Sequence, residues 1–311
     1  MIGLFDPRKG GKLYPLSLVA AIGAVLAVAV RAASDDHIVL LPKLQNGESL
    51  QYETRARIDR HVTTKSNVSS MVGPRQVRRD LASALRLDVQ EMRLVDHRPL
   101  LSAESKIVPL DAPAPNEPPV KEVKVTFTVG GDGSIHVAEG ADDLDAELSL
   151  TWQFWAAQFA FGWTLPAAGV KPGEKWKSVE LEKTSSPIAN LVWERATIYV
   201  QNDKCPVIPD EQCAVFLTSS TLRQKSNPKD ATPEDYKLHE LKTSGTASGT
   251  NEMVSYISLR TGLVMRATED LQQAMDVTIA KMDGTNQIHY TITARSHLET
   301  ALRAPVSTGT E

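Results

Sequence analysis

Few residues of this chain carry chemistry in a recognisable spacing. Its seven histidines, His37, His61, His97, His136, His239, His289 and His297, include no i, i+4 pair and no HExxH group, so zinc-type ligation has no local home. His289 and His297 fall on one strand face, yet eight residues of strand separate them by roughly 26 Å, too far to share an ion. A serine nucleophile belongs on a G-x-S-x-G elbow. Ser248 in GTASGT lacks the first glycine at the needed spacing. The GGDG at residues 130–133 follows one strand-like run and leads into another, so it offers a turn and no helix N-terminus for a phosphate. The acids Asp142, Asp143, Asp145 and Glu147 lack the alternating oxygens and central glycine of an EF-hand loop and read as first-turn helix acids. Carboxylate pairs of the glycosidase kind meet only in a fold. The sequence therefore assigns no catalytic residue, no cofactor and no metal, and a non-catalytic protein is expected, with a hydrolase as the last alternative.

Two features remain. The only cysteines, Cys205 and Cys213, bracket CPVIPDEQC between two strand-like runs; their spacing fits no standard zinc site, and a disulfide stapling a hairpin is expected. The uncharged stretch LSLTWQFWAAQFAFGW, residues 148–163, holds three of the five Trp and three of the six Phe. At helical spacing Leu144, Leu148, Trp152, Trp155 and Phe159 form one stripe, with acids before it and Gly162 and Pro166 after it. Gln153 and Gln158 interrupt it, and it is shorter than the roughly 20 residues a span needs. Two readings stay open: the stripe closes an ordinary core, or Trp152, Trp155 and Phe159 contact a lipid-like or other apolar ligand between helix and sheet.

The elements that must position these residues are mostly strands. In LQYETRARI, Leu50, Tyr52, Thr54, Ala56 and Ile58 alternate with polar residues, the pattern of a half-buried strand. Val123, Val125, Phe127 and Val129 repeat it, and with Ile135 and Val137 beyond GGDG they form a hairpin. A second hairpin flanks Asp283-Gly284, with His289, Thr291, Thr293 and Arg295 on a polar outer face. Further strands are expected at 75–89, 175–182, 191–200, 214–223, 252–259 and 263–269. Residues 225–249 read as a polar, loop-like insertion in which Thr232 and Pro233 start a short helix. The expected class is mainly β: a large curved antiparallel sheet or half-barrel of about ten strands with one amphipathic helix as lid, plus an N-terminal signal or anchor helix.

Arg8, Lys9 and Lys12 precede an apolar run over residues 16–30, followed by Ala32, Ala33 and Ser34, the layout of a secretory signal. Fifteen apolar residues make roughly 22 Å of helix against a hydrocarbon core of about 30 Å. Residues 1–34 are expected to be a signal peptide or, uncleaved, an N-terminal membrane anchor, and membrane contact is expected only through residues 16–30. Residues 35–303 are expected to form a single β-rich domain with a Pro-rich connector at 109–119, and residues 304–311 a flexible tail. Removing 1–34 takes away Arg8, Lys9, Lys12, Arg31 and Asp6 and moves the formal charge from −4 to about −7, which disfavours nucleic acid as a partner. Asn67-Val68-Ser69 satisfies a glycosylation sequon.

The strand after NGESLQY, the hairpin VTFTVGGDGSI with EGADDL after it, the entry Leu165-Pro166 leading to Gly173 and Trp176, and TGLV at 261–264 together resemble exported bacterial β-rich families of unknown function. More distantly, a curved sheet under a helical lid resembles the lipoprotein-carrier (LolA/LolB-like) half-barrels of the Gram-negative envelope, whose concave face holds acyl chains. The resemblance implies an exported envelope protein, periplasmic or extracellular, that binds a lipid or other apolar ligand. The alternative is a structural module that docks an envelope protein partner through an exposed strand edge.

Overall fold

The computed structural model describes residues 37–67, 73–110, 122–182, 186–208 and 210–303. The signal segment, the residues after Asn67 in the sequon, the connector beyond Leu110 and the tail lie outside the described residues. All described residues belong to one compact unit, His37–Glu311.

Alternation builds the strands. In β1 (Ser49–Ser66), Tyr52, Thr54 and Ala56 are buried while Gln51, Arg55 and Arg57 face solvent. β2 (Gly73–Val95), β3 (Arg98–Pro109), β4 (Val123–Val129) and β5 (Ile135–Glu139) continue outward from β1 as antiparallel hairpins. The second half of the chain supplies β6 (Lys175–Leu181), β7 (Leu191–Lys204), β8 (Gln212–Gln224), β9 (Leu241–Ser258), β10 (Val264–Lys281) and β11 (Ile288–Leu302), again antiparallel throughout. The two meanders join where β1 pairs with β11 over fifteen residue pairs, from Tyr52 against Leu302 to Ser66 against Ile288. The result is one open, curved, eleven-stranded sheet in the order β5-β4-β3-β2-β1-β11-β10-β9-β8-β7-β6, with edges at β5 and β6.

That order dictates where the helix goes. The chain leaves β5 at one edge and must reach β6 at the other, and α1 (Ala146–Ala160) makes the crossing over the inner face, against β1, β2, β3, β10 and β11. Asp145 caps it: one carboxylate oxygen accepts from the backbone N–H of Glu147 and of Leu148, each at 2.8 Å. A 3-10 turn, Phe161–Thr164, ends it. The apolar stripe meets the inward side chains of β1 to β4, so that Tyr52, Leu85, Leu87, Leu101, Ile107, Phe127, Trp152, Trp155 and Phe159 share one core. Phe154, on the opposite side of the helix, packs with Ala56 and Leu298. Only a narrow face of α1, with Glu147, Gln153 and Ala157, stays exposed, so the helix is sunk into the sheet further than its one-stripe pattern implies.

Two expectations are corrected. Residues 241–249 form the first half of β9 and are no loop. Their Gly, Ser and Thr content hides the strand, but Gly245, at φ 143°, is needed there because a Cβ would stand 2.1 Å from the Asp276 carbonyl oxygen on β10. The short helix exists as α2 (Glu234–Leu238), but Thr232 does not cap it. The Thr232 hydroxyl instead accepts from the backbone N–H of Thr243 at 3.0 Å and donates to Asp230 at 2.9 Å, tying the segment to β9. Cys205 and Cys213 are disulfide-bonded and buried in the main core. A loop this short makes such a bond worth about 2 to 3 kcal/mol.

Trp155 is fully buried beneath Tyr52, Phe127 and Phe159. Trp155→Ala is therefore expected to lower unfolding free energy by about 3 to 5 kcal/mol. A urea titration checks this, with an unchanged m-value; Val179→Thr on the exposed outer side of β6 is expected to stay within about 0.5 kcal/mol of the parent.

Candidate functional site

The aromatic stripe is filled interior. Trp155 is 0 % exposed, Phe159 2 % and Trp152 4 %. Trp152 donates its indole N–H to Ser105 Oγ at 2.8 Å and meets Phe127 edge-on. Trp163, four residues beyond Phe159, donates to the Pro99 carbonyl at 2.9 Å. The Trp155 indole N–H and the Tyr52 hydroxyl are buried without a partner, and burial pushes the Tyr52 phenol above its usual range. Trp152, Trp155 and Phe159 have their faces taken by protein, and neither the groove across the polar face nor the one beside Glu211 and Arg260 is lined by any of them.

The inner face continues beyond the lid. Past Ala56, β1 presents Ile58, Arg60 and Val62 inward, in register with Arg79, Val77 and Arg75 on β2 and with Ser296, Ala294 and Ile292 on β11. Leu271, Gln273 and Met275 on β10 extend the same three rows. Ile58, Val62, Val77, Leu271, Met275 and Ile292 are all half-buried, unlike the fully enclosed residues under α1. A second small core bounds this strip on the far side: Ile188, Leu191 and Ala231 pack over Trp193, Leu222, Ala247 and Val277, with Leu271 and Met275 against its border. Arg79 at the strip's edge pairs with Glu147 in the first turn of α1 at 2.7 Å.

Where lid, strip and small core meet, a carboxyl is caught inside. Glu269 on β10 occupies an inward position between Ala267 and Leu271. Gln158 Nε2 of α1 donates to one of its oxygens at 3.0 Å and Asn251 Nδ2 of β9 to the other at 2.6 Å. Gln158 is 4 % exposed. The other ends of both amides, Gln158 Oε1 and Asn251 Oδ1, are buried with no partner. Each such orphan acceptor costs about 1 to 3 kcal/mol. Burial pushes the Glu269 carboxyl above the usual carboxylate range, outweighing the Asn251 bond, the nearby Arg195 charge and the Gln158 bond. Arg195 itself pairs with Glu180 on β6 at 2.8 Å. A raised carboxyl and two unpaired buried acceptors in one place are the features that mark binding sites.

No family model matches the chain, and no curated protein does. Among solved structures, a chain described as a "putative lipoprotein" from Parabacteroides distasonis ATCC 8503 aligns over 86 % of this chain and 98 % of its own, at 9 % identity and a TM-score of 0.28. A likeness that slight carries no argument.

The opposite face of the sheet is polar. An open groove of about 650 Å³ crosses it, lined among others by His61, Gln76, Thr221, Ser248, Thr250 and Arg295. Gln76 donates to Asp59 at 3.1 Å. His289 and His297 on this face each pair with an aspartate of β10, Asp276 and Asp270, both at 2.8 Å. Of the acidic cluster, Asp145 is the helix cap and Glu147 the ion-pair partner of Arg79.

Sequence reasoning did not single out Glu269 and Asn251, and it noticed Gln158 only as a break in an apolar run. The signal was present in part. Counting inward positions along β10 puts an acid in phase with Ala267 and Leu271, where a satisfied core residue belongs.

Because the folded protein holds Glu269 above its unfolded value, its contribution to stability is complete below the unfolded value of about 4.3 and is lost as pH rises through the folded one. Glu269→Gln removes that loss, and its own amide can meet one of the orphan carbonyls. The variant is expected to melt above the parent at pH 7 and together with it below about pH 4, which thermal unfolding across that range checks.

Proposed function

We propose that this protein is exported and non-catalytic and that it holds an amphipathic ligand on the inner face of its sheet, in the strip between the crossing helix and the small core over β7 to β10. Export is supported by the cationic and apolar N-terminal segment and by a disulfide, which persists in oxidising compartments. The observation that carries the binding reading is the unequal covering of one apolar face. Residues under α1 are enclosed, while Ile58, Val62, Val77, Leu271, Met275 and Ile292 in the adjoining rows are half-buried. Burying such surface is worth about 25 cal/mol per Å², enough for an alkyl chain laid along it to bind. An enzyme is not favoured, because the titratable groups at the strip's edge are engaged in packing the lid.

A second reading is supported by a different observation. The edge strand β6 carries Val179 and Leu181, 69 % and 67 % exposed, on one side of an unpaired strand edge, a surface suited to strand addition by a protein partner.

The binding reading is tested with the neutral apolar dye N-phenyl-1-naphthylamine. The full chain is expected to bind it with enhanced emission, and Ile292→Glu, which places a charge in the middle of the strip, is expected to weaken binding about tenfold, or 1.4 kcal/mol. Equal binding by both proteins, or none by either, contradicts the assignment.

A further inference from the structure

Resting on the amphiphile reading above, we propose that Glu269, Gln158 and Asn251 form the head-group site and that the ligand they select carries a protonated amine. The site is built from three elements, with Gln158 on the lid, Asn251 on β9 and Glu269 on β10 between them. Both side-chain NH₂ groups are already committed to the carboxylate, one to each oxygen. What remains for a ligand is acceptor capacity alone: the free lone pairs of Glu269 and the buried, unpartnered Gln158 Oε1 and Asn251 Oδ1.

Chemistry narrows what can answer. A primary ammonium brings three donors and no acceptor, so one group meets the carboxylate and both orphan oxygens. Its charge also offsets that of Glu269, for which burial is otherwise unfavourable. A hydroxyl supplies one donor and leaves an acceptor unmet. A carboxylate or phosphate finds no free amide donor and sets a second negative charge beside the first; the nearby Arg195 is held by Glu180. The exposed Arg60, Arg75 and Arg79 that would suit an anion stand on β1 and β2, separated from β10 by β11.

Position agrees with chemistry. Asn251 is the register partner of Leu271, and Leu271 lies two residues beyond Glu269 on the same face. Glu269 and Asn251 are half-buried while Gln158 and the two orphan oxygens are buried, so the nest lies just beneath the rim of the lid, beside the first row of the strip. An alkyl chain starting there runs over Leu271 and Ile58 or over Met275 and Ile292 with its amine at the seam.

The test titrates the full chain, by calorimetry below micelle-forming concentrations, with dodecylammonium, dodecanol and dodecanoate, and repeats the series on Glu269→Gln. The parent is expected to bind dodecylammonium about tenfold more tightly than dodecanol and to bind dodecanoate least. In Glu269→Gln the ratio of the first two affinities is expected to fall to about one. If dodecanoate binds best, the head lies on the arginine side and the assignment is wrong. If dodecylammonium and dodecanol bind the parent equally, or the preference survives Glu269→Gln, the nest does not read the head group. Binding of none of the three overturns the amphiphile reading itself, and this proposal with it.

Discussion

One topological constraint organises the molecule. Because β1 and β11 pair at the centre, each half of the sheet grows outward, and the chain between β5 and β6 has to travel its whole width, roughly 48 Å at 4.8 Å per strand spacing. It travels over the inner face, where a helix can satisfy its own backbone while burying a stripe of Trp and Phe against the strands. Neither half could close a core alone: β1 to β5 need α1 above them, and α1 needs their inward Leu, Ile and Phe side chains below it. The pairing of first and last strands and the crossing helix are thus one device.

The same crossing decides what stays uncovered. A fifteen-residue helix is about 22 Å long and covers the rows near the ends of β11 and β10 that hold Thr300, Leu298 and Ala267. The strands are longer than the lid is wide. β1, β10 and β11 continue for several residues beyond it, still alternating, and Ile58, Val62, Leu271, Met275 and Ile292 face inward there among Arg60, Gln273 and Ser296, although no strand or helix among the described residues is packed over all of them. Glu269 sits at the seam between the covered and the open part, bonded to both the helix and the sheet. Its burial raises its proton affinity, and its two amide partners expend their donors on it and keep their acceptors. Packing constraint and binding chemistry meet at that residue.

Much of this was legible in the residues alone. Alternation located the strands on both sides of GGDG and of Asp283-Gly284, the cysteine spacing indicated the staple, and the stripe from Leu144 to Phe159 located the lid. The first half of β9 was not legible, since Gly245, Gly249 and their Ser and Thr neighbours have low strand preference and owe their conformation to the close approach of β10. Nor was the open strip: it exists only once the register sets Ile58 beside Ser296 and Leu271, and pairing over more than two hundred residues of sequence leaves no local trace. The aromatic residues that drew attention as ligand contacts are enclosed because Phe127, Tyr52 and one another cover their rings and Ser105 takes the Trp152 indole N–H, while the Trp155 indole N–H is buried without a partner. Glu269 is the intermediate case. Its phase on β10 was readable, while Gln158, 111 residues away, was not readable as its partner.

Hydrogen exchange read by mass spectrometry tests the central claim most directly. If crossing helix and sheet are one cooperative layer, the amides of α1 from Leu148 to Ala160 exchange as slowly as those of β1 and β2 and open only with global unfolding. Exchange of α1 ahead of those strands, at a rate independent of global stability, would show a helix lying loosely on a sheet that folds without it, and would contradict the account.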